Sequence, residues 1–362
     1  AGAGSSLGND QRFTGMITRT SSPDNTEFPF ASLNSFLTPT DQHFVRTHFD
    51  TPEIDARDWR LTVEGAVEKP FELSYEELRK LPSVTAATTL ECAGNGRVFL
   101  KPLQNGIRWE LGGISTAEYT GVRLADLLAR AGVREGAKMV TLEGADSGAV
   151  SGGPAPGVIA YSKSLPLEKA MQPEVLLAYR MNGEELPAKH GFPLRVVVPG
   201  WFGTWSVKWL TKIIVTEGEI DPYFQTFSYS VWDRRYGEPS LIPITQLGVK
   251  ASIARPARNE TVPAGAKYRV LGAAWTGGEA QVTKVEISTD GGKTWGQARL
   301  LGEAVPFAWR LWEYEWQTPA AGRRVLMARA TDSEGRVQPT EHSADLRDGH
   351  INMIIPIPVE VR

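Results

Sequence analysis

The sequence predicts an α+β domain followed by an all-β sandwich of immunoglobulin type. Three observations lead there. At 362 residues the chain is long for a single hydrophobic core, so two domains are the natural division. Up to about residue 246, helical patterns sit among scattered strand patterns. They show no strand–helix–strand rhythm, which argues against a doubly wound sheet. After "SLIPITQLGVKASIARPARNETVPAG" the chain reads as strand and turn alone.

Residues 1–45 are rich in Ser, Thr, Pro, Asn and Phe without periodicity, and read as an irregular arm lying on the body of the protein. In "DWRLTVEGAV", Trp59, Leu61 and Val63 alternate with polar residues, the signature of a half-buried strand. "SYEELRKLP" places Ser74 three residues before Glu77, a capping box, with Pro82 just past the end, so a short helix is expected. Leu124, Leu127 and Leu128 of "GVRLADLLARAG" share a helical face, and Gly132 supplies the terminating residue. "MVTLEGAD" and "FPLRVVVPG" are strand-like in composition. The domain boundary falls near residue 247, giving 46–246 and 247–362. Beyond it, "TKVEISTDGGKTW" alternates Val285 and Ile287 and turns at Asp290-Gly291-Gly292, and "RVLMARATDSEGRV" repeats the pattern.

Composition narrows the function. Hydrophobic residues make up 41% and charged residues 22%, ordinary for a soluble globular protein. A formal net charge of -3 argues against a nucleic-acid partner. No apolar run approaches the roughly 18 residues of a membrane span. A single cysteine rules out an intrachain disulfide framework and any CxxC zinc site. The opening "AGAGSSLGND" is small and polar, compatible with a mature terminus left after export or with a trimmed chain. The first reading predicts a periplasmic location, the second leaves a cytoplasmic one open.

Chemistry concentrates in three stretches. "TTLECAGNGR" runs from strand-forming residues into a tight turn, with Cys92 at the junction. The plain reading of a lone cysteine is a small buried hydrophobe, but these glycines let another group come close. "HFVRTHFDTP" sets Arg46 and His48 on alternate positions, pointing the same way if extended. "KHGFPLRVVVPGWFGTWSVKWLTKI" offers His190, Arg195, Ser206 and Lys208 around a strand and a glycine-rich turn. Taken singly, each cation is a solvated surface charge and each histidine a satisfied structural one. Within apolar, Gly-Pro-Trp-rich stretches, however, a cation is costly to bury without a partner. Together they suggest a pocket for a phosphate or another oxyanion. Walker, GxGxxG, HExxH and GxSxG motifs are absent from the sequence. One soft thiolate beside an anion pocket suggests a thiophilic metal carried by a phosphorylated cofactor.

"LECAGNGR", "VLLAYRMNGEELPAKHGFPLRVVVPG" and "SVKWL" resemble the sulfite oxidase family of molybdenum-cofactor enzymes, and "AAWTGGEAQVTKVEISTDGGKTW" and "AWRLWEYEW" resemble that family's dimerisation domain. The resemblance runs from about residue 27 to the end and implies a molybdenum–molybdopterin cofactor. Cys92 matches the cysteine that bonds the metal alongside the pterin dithiolene. Arg46 and His48 match an oxyanion-pocket arginine and a pterin-contacting histidine. His190, Arg195, Ser206 and Lys208 match positions holding the pterin and its phosphate, and Asp146 matches another cofactor contact. Arg97 and Trp109 match an arginine and a tryptophan at the substrate. Arg347, in "ADLRDGH", is the loosest match, to a pocket arginine from the second domain, because the family's flanking tryptophan and glycine are missing. For the family's catalytic tyrosine there are three neighbours to choose from, Tyr223, Tyr229 and Tyr236. The spacing from the tryptophan of the VKWL segment selects Tyr229.

The implied reaction is a two-electron oxidation of sulfite to sulfate by oxygen-atom transfer. Electrons would pass to an external acceptor, a cytochrome c-like protein or oxygen, from a homodimer joined beyond residue 247. No haem domain is expected in the arm. Trp205 in "PGWFGTW" and the Gly96-Arg97 turn resemble the bacterial branch, whose substrates are less uniform. Two further readings stand beside this one: a molybdenum reductase of a sulfoxide or nitrate, and a non-catalytic protein that binds through its sandwich domain. An arginine-rich pocket favours a small oxyanion over a neutral sulfoxide. The intact cysteine and cation set speaks against lost chemistry.

Overall fold

The computed structural model describes residues 12–150, 157–220 and 222–362. The opening "AGAGSSLGND", read above as a mature or trimmed terminus, lies outside the described residues. The strand expected through Leu61 and Val63 spans Arg60–Gly65, and both side chains are fully buried. It pairs antiparallel with Phe71–Ser74 and parallel with Leu210–Thr216. Met139–Ala149 and Val158–Pro166 complete this five-stranded sheet. A second sheet runs in the order Glu184–Glu185, Leu176–Met181, Ile114–Arg123, Val84–Glu91, and Arg195–Val197 pairs with Leu176–Met181.

Both expected helices form. Tyr75–Arg79 carries the reciprocal Ser74–Glu77 capping box. Leu124–Ala131 buries Leu124, Leu127 and Leu128 and ends at Gly132, whose φ of 67° suits glycine. Even so, α+β overstates the helix content. The four α-helices among the described residues are only four to eight residues long. Such lengths are marginal in water and persist by packing on a sheet, so the first domain is mostly strand.

The arm is more regular than its composition predicts. Ile17–Ser21, Asp24–Glu27 and Val45–Arg46 form a three-stranded sheet. Its inward groups are polar, which removes the apolar period that would have marked it. The buried Glu27 carboxylate accepts the backbone N–H groups of Glu110 and Gly112, and buried Asn25 accepts the N–H of Thr47.

The C-terminal domain consists of two sheets. One runs Lys250–Arg255, Lys267–Trp275, Arg310–Gln317, Arg299–Leu300. The other runs Thr261–Val262, Ile357–Val361, Gly322–Asp332, Val282–Ser288, Gly296–Gln297. Ile253, Val270 and Trp312 from the first meet Val285, Leu326 and Ile357 from the second in one buried core. The largest core of the molecule joins Leu61, Val63 and Leu142 to Trp275, Trp309 and Leu311, so it spans both domains. Among the described residues, no helix is long and apolar enough to cross a membrane.

Trp309 is fully buried in that shared core, and its indole N–H donates to the Phe36 carbonyl at 2.8 Å. Trp309→Ala is expected to lower unfolding stability by about 3–5 kcal/mol, the usual cost of deleting a packed indole. Urea denaturation measures it; a loss below about 1 kcal/mol would contradict a core shared between the domains.

Candidate active site

The strand Val84–Glu91 delivers Cys92 to a cleft that it lines together with Leu90. The turn behind it is closed by backbone bonds. Cys92 N–H donates to Gly113 O at 2.8 Å, and Cys92 O accepts from Asn95 N–H at 2.9 Å. Gly94 lets the Arg97 guanidinium lie where it does, since a Cβ there would meet its carbon at 2.5 Å and push that side chain aside. Burial pushes the Cys92 thiol up from its ordinary range, and the guanidinium groups of Arg46 and Arg97 oppose that shift.

Arg46, His48 and Tyr229 meet at this end of the cleft. The Tyr229 hydroxyl lies 2.7 Å from His48 Nε2 and accepts from Arg46 Nη2 at 3.4 Å. Arg46 also donates to Asn25 Oδ1 at 3.2 Å and to the Thr47 carbonyl. The His48 ring stacks on Tyr161 and tilts against Phe224, with centroids 4.7 and 4.6 Å away, and those two rings also touch each other at 4.8 Å. Burial, reinforced by Arg46, holds His48 well below its usual range, so it is neutral. Tyr229 and the cleft-lining Trp209 adopt φ of 55° and 50°. Left-handed backbone at bulky residues costs on the order of 1–3 kcal/mol each and gathers at functional sites. Of the other tyrosine candidates, Tyr236 is 87% exposed, and Tyr223 packs on Phe227 away from the cleft lining.

The same cleft carries the other cations. Arg195 donates to His190 O at 3.0 Å and Ser206 O at 3.3 Å. Lys208 donates to Lys189 O at 2.9 Å and stands 4.3 Å over the Trp209 ring. The Ser206 hydroxyl accepts Val198 N–H at 3.1 Å. Among the described residues, no carboxylate lies at ion-pair distance from Arg46, Arg195 or Lys208. Burial, then the nearby Arg195, lowers Lys208 well below its normal range. Asp146 is aimed inward beside a register shift in the strand Met139–Ala149. Burial raises its carboxyl to about 6 against the pull of Lys208. Asp146 Oδ1 and His190 Nε2 are buried without a hydrogen-bond partner. A thiol, three cations without carboxylate partners and two orphaned polar atoms around one cleft suit an anionic, hydrogen-bonding ligand.

Three expected site residues stand behind the cleft rather than on its wall. Arg97 is 8% exposed and donates to the carbonyls of Asp348 and Ile107 at 3.0–3.1 Å. Trp109 is fully buried, edge-on to Phe44 at 6.1 Å. Arg347 donates to the Ser230 hydroxyl at 2.6 Å, next to Tyr229 in sequence. Other residues line or back the site without having drawn notice in the sequence. His43 abuts His190 at 5.1 Å, and burial lowers it to about 3. Tyr161 donates to Thr204 O at 2.6 Å. Lys163 is fully buried, donates to Phe224 O, and lies 4.7 Å from the Trp205 ring and 5.0 Å from that of Tyr229. The one available signal was the alternation of Tyr161 and Lys163 in "VIAYSKSLP", which reads equally well as a solvent face.

Comparison with known proteins finds two family matches, curated relatives and a solved structural neighbour. Residues 48–224 match the oxidoreductase molybdopterin binding domain, and residues 242–360 match the Mo-co oxidoreductase dimerisation domain. Sulfite oxidase of Gallus gallus is 37% identical over 351 residues, covering 92% of this chain and 74% of that protein. Mitochondrial sulfite oxidase of Rattus norvegicus is 39% identical over 88% of this chain, which spans 60% of that protein's length. The crystal structure of the sulfane dehydrogenase SoxCD from Paracoccus pantotrophus superposes with a TM-score of 0.81 at 31% identity, covering 94% of this chain and 85% of that one. The chain therefore belongs to the sulfite oxidase family of molybdenum-cofactor enzymes.

Proposed function

We propose that this protein is a sulfite dehydrogenase. It oxidises sulfite to sulfate and passes the electrons to an external acceptor, a cytochrome c-like protein or oxygen. It works as a homodimer in the periplasm, through an immunoglobulin-like domain that starts near residue 247. The observation that carries this reading is the convergence of Cys92, Arg46, His48, Tyr229, Arg195 and Lys208 on the lining of one cleft.

When bound, the molybdenum–molybdopterin cofactor supplies the two-electron redox centre and the oxygen atom to be transferred. The chain's own residues do the rest. Cys92 offers the metal its one protein thiolate; among the described residues no group of three His, Cys, Asp or Glu side chains offers an alternative ligand set. Arg195, Lys208 and Ser206 receive the phosphate, and Asp146 Oδ1 and His190 Nε2 supply an acceptor and a ring nitrogen to the pterin. Arg46 binds the substrate dianion through a charge-assisted contact. Tyr229, pinned by neutral His48, directs its hydroxyl to the same place as Arg46. Fixed donors of this kind stabilise charge that develops as the substrate reacts.

A reductase of nitrate or a sulfoxide would use the same cofactor, and a non-catalytic binder would use none of it. Purified protein should contain molybdenum and reduce ferricyanide or cytochrome c only when sulfite is added. Nitrate- or sulfoxide-dependent oxidation of reduced viologen in its place would favour a reductase. Absence of both activities in molybdenum-loaded protein would overturn the enzymatic reading.

Tyr229→Phe is expected to keep its molybdenum while kcat falls roughly ten- to a hundredfold, a barrier increase of about 1.4–2.7 kcal/mol. Tyr236→Phe should behave as wild type. A large loss in the second variant with none in the first would reverse the assignment.

Asp146 gives a signature independent of turnover. A carboxyl raised to about 6 when folded ionises near 3.9 when unfolded. The folded chain holds the proton longer, so the associated stability is present below pH 4 and lost as pH rises through 6. Cofactor-free Asp146→Asn should therefore match wild type at pH 4 and exceed it at pH 7 by on the order of 3 kcal/mol. Urea denaturation at both pH values tests this, and a pH-independent difference would contradict it.

A further inference from the structure

The last residues of the cysteine strand divide between two tasks. Leu90 and Cys92 line the cleft, while Thr89 and Glu91 face the C-terminal domain. Thr89 N–H donates to Phe307 O at 3.0 Å, and Thr89 Oγ1 accepts from Trp309 N–H at 2.7 Å. Glu91 is 3% exposed and meets Lys250, 1% exposed, at 2.9 Å. The second Glu91 oxygen accepts the Trp275 indole N–H at 2.8 Å. Lys250 and Trp275 both belong to the C-terminal sheet.

The same ammonium reaches across the turn. Lys250 Nζ donates to the Asn95 carbonyl at 3.0 Å, and the Asn95 side chain donates back to Glu91 Oε1 at 3.1 Å. Asn95 Oδ1 accepts Gly113 N–H at 3.0 Å. One cation from the second domain thus ties residue 91 to residue 95, with Cys92 between them. Net stability does not explain this arrangement. A buried ion pair gains little over apolar residues of the same volume, because desolvation offsets most of the attraction. What it does fix is geometry: donors and acceptors are matched so that only one conformation of the turn satisfies them all.

We propose that Lys250 is a positioning residue for Cys92, holding the 91–95 turn in the conformation that turns the thiol into the cleft. The C-terminal domain is then part of the active-site scaffold as well as of the subunit contact. The catalytic consequence rests on the function proposed above; the effect on the turn does not.

The decisive comparison is between Glu91→Gln and the double variant Glu91→Gln/Lys250→Met. The single variant keeps the Lys250 bond to Asn95 O but leaves a buried ammonium without its carboxylate, so exchange in each variant is compared with its own urea stability. The double variant removes the cation without stranding a buried carboxylate, so it should fold. In cofactor-free protein, amide hydrogen exchange over residues 92–97 should quicken at least about tenfold in the double variant beyond any change in its urea stability, and in the single one by no more than its urea stability accounts for. In loaded enzyme the double variant should keep its molybdenum and its KM for sulfite, while kcat falls roughly ten- to a hundredfold. Unchanged exchange in the double variant, or equal acceleration in the single one, would overturn the proposal. If exchange responds as expected but the wild type shows no sulfite-dependent turnover, the positioning role stands and the function reading falls.

Discussion

The molecule depends on one constraint: a strand can face two ways, and this one is required to do both. Successive side chains on the strand Val84–Glu91 point to opposite faces. The C-terminal domain grips Thr89 and Glu91. Leu90 and Cys92 must then look into the cleft, which they line. A slip of one residue would bury the thiol against Trp275 and Trp309 and swing the Glu91 carboxylate into the site. The glycines that follow serve the same end, letting the Arg97 guanidinium lie against Gly94 with no side chain between them.

A second constraint is electrostatic. Arg46, Arg195 and Lys208 are gathered around one cleft and hydrogen-bonded to carbonyls or amide oxygens. Backbone carbonyls orient these cations but leave their charge uncompensated. An anionic ligand with hydrogen-bonding groups would compensate them and pair the orphaned atoms of Asp146 and His190. Left-handed backbone at Tyr229 and Trp209 stores strain at the same place. These features oppose stability and are coherent only as preparation for a ligand. The raised carboxyl of Asp146 is the most direct sign of that opposition.

Much of the site was legible in the sequence because its residues are out of place for their type. A lone cysteine before glycines, and cations in Trp-rich apolar segments, violate ordinary patterning; a family resemblance then gave them roles. What stayed hidden lacks such a signature. Tyr161 and Lys163 alternate along a strand as surface residues do, and only the packing of Phe224 and Trp205 shows that they point inward. Glu91 and Lys250 are 159 residues apart, and nothing local pairs them. Arg97 and Arg347 lie outside the cleft lining, their guanidinium groups engaged by the carbonyl of Asp348 and by Ser230. Helix was over-read for a related reason. Capping boxes and leucine faces predict that helices exist, while their share of the fold is set by the sheets they cover. In the arm, buried polar contacts from Asn25 and Glu27 replaced the apolar rhythm by which strands are recognised.

The central claim is that Cys92 is the protein's bond to the metal. Molybdenum-edge X-ray absorption on the loaded wild type and on Cys92→Ser tests it directly. A hydroxyl is a hard donor and a poor substitute for a thiolate on this metal. The account predicts that the variant folds, retains the cofactor and shows one fewer sulfur neighbour on molybdenum. An unchanged sulfur shell in Cys92→Ser would contradict it.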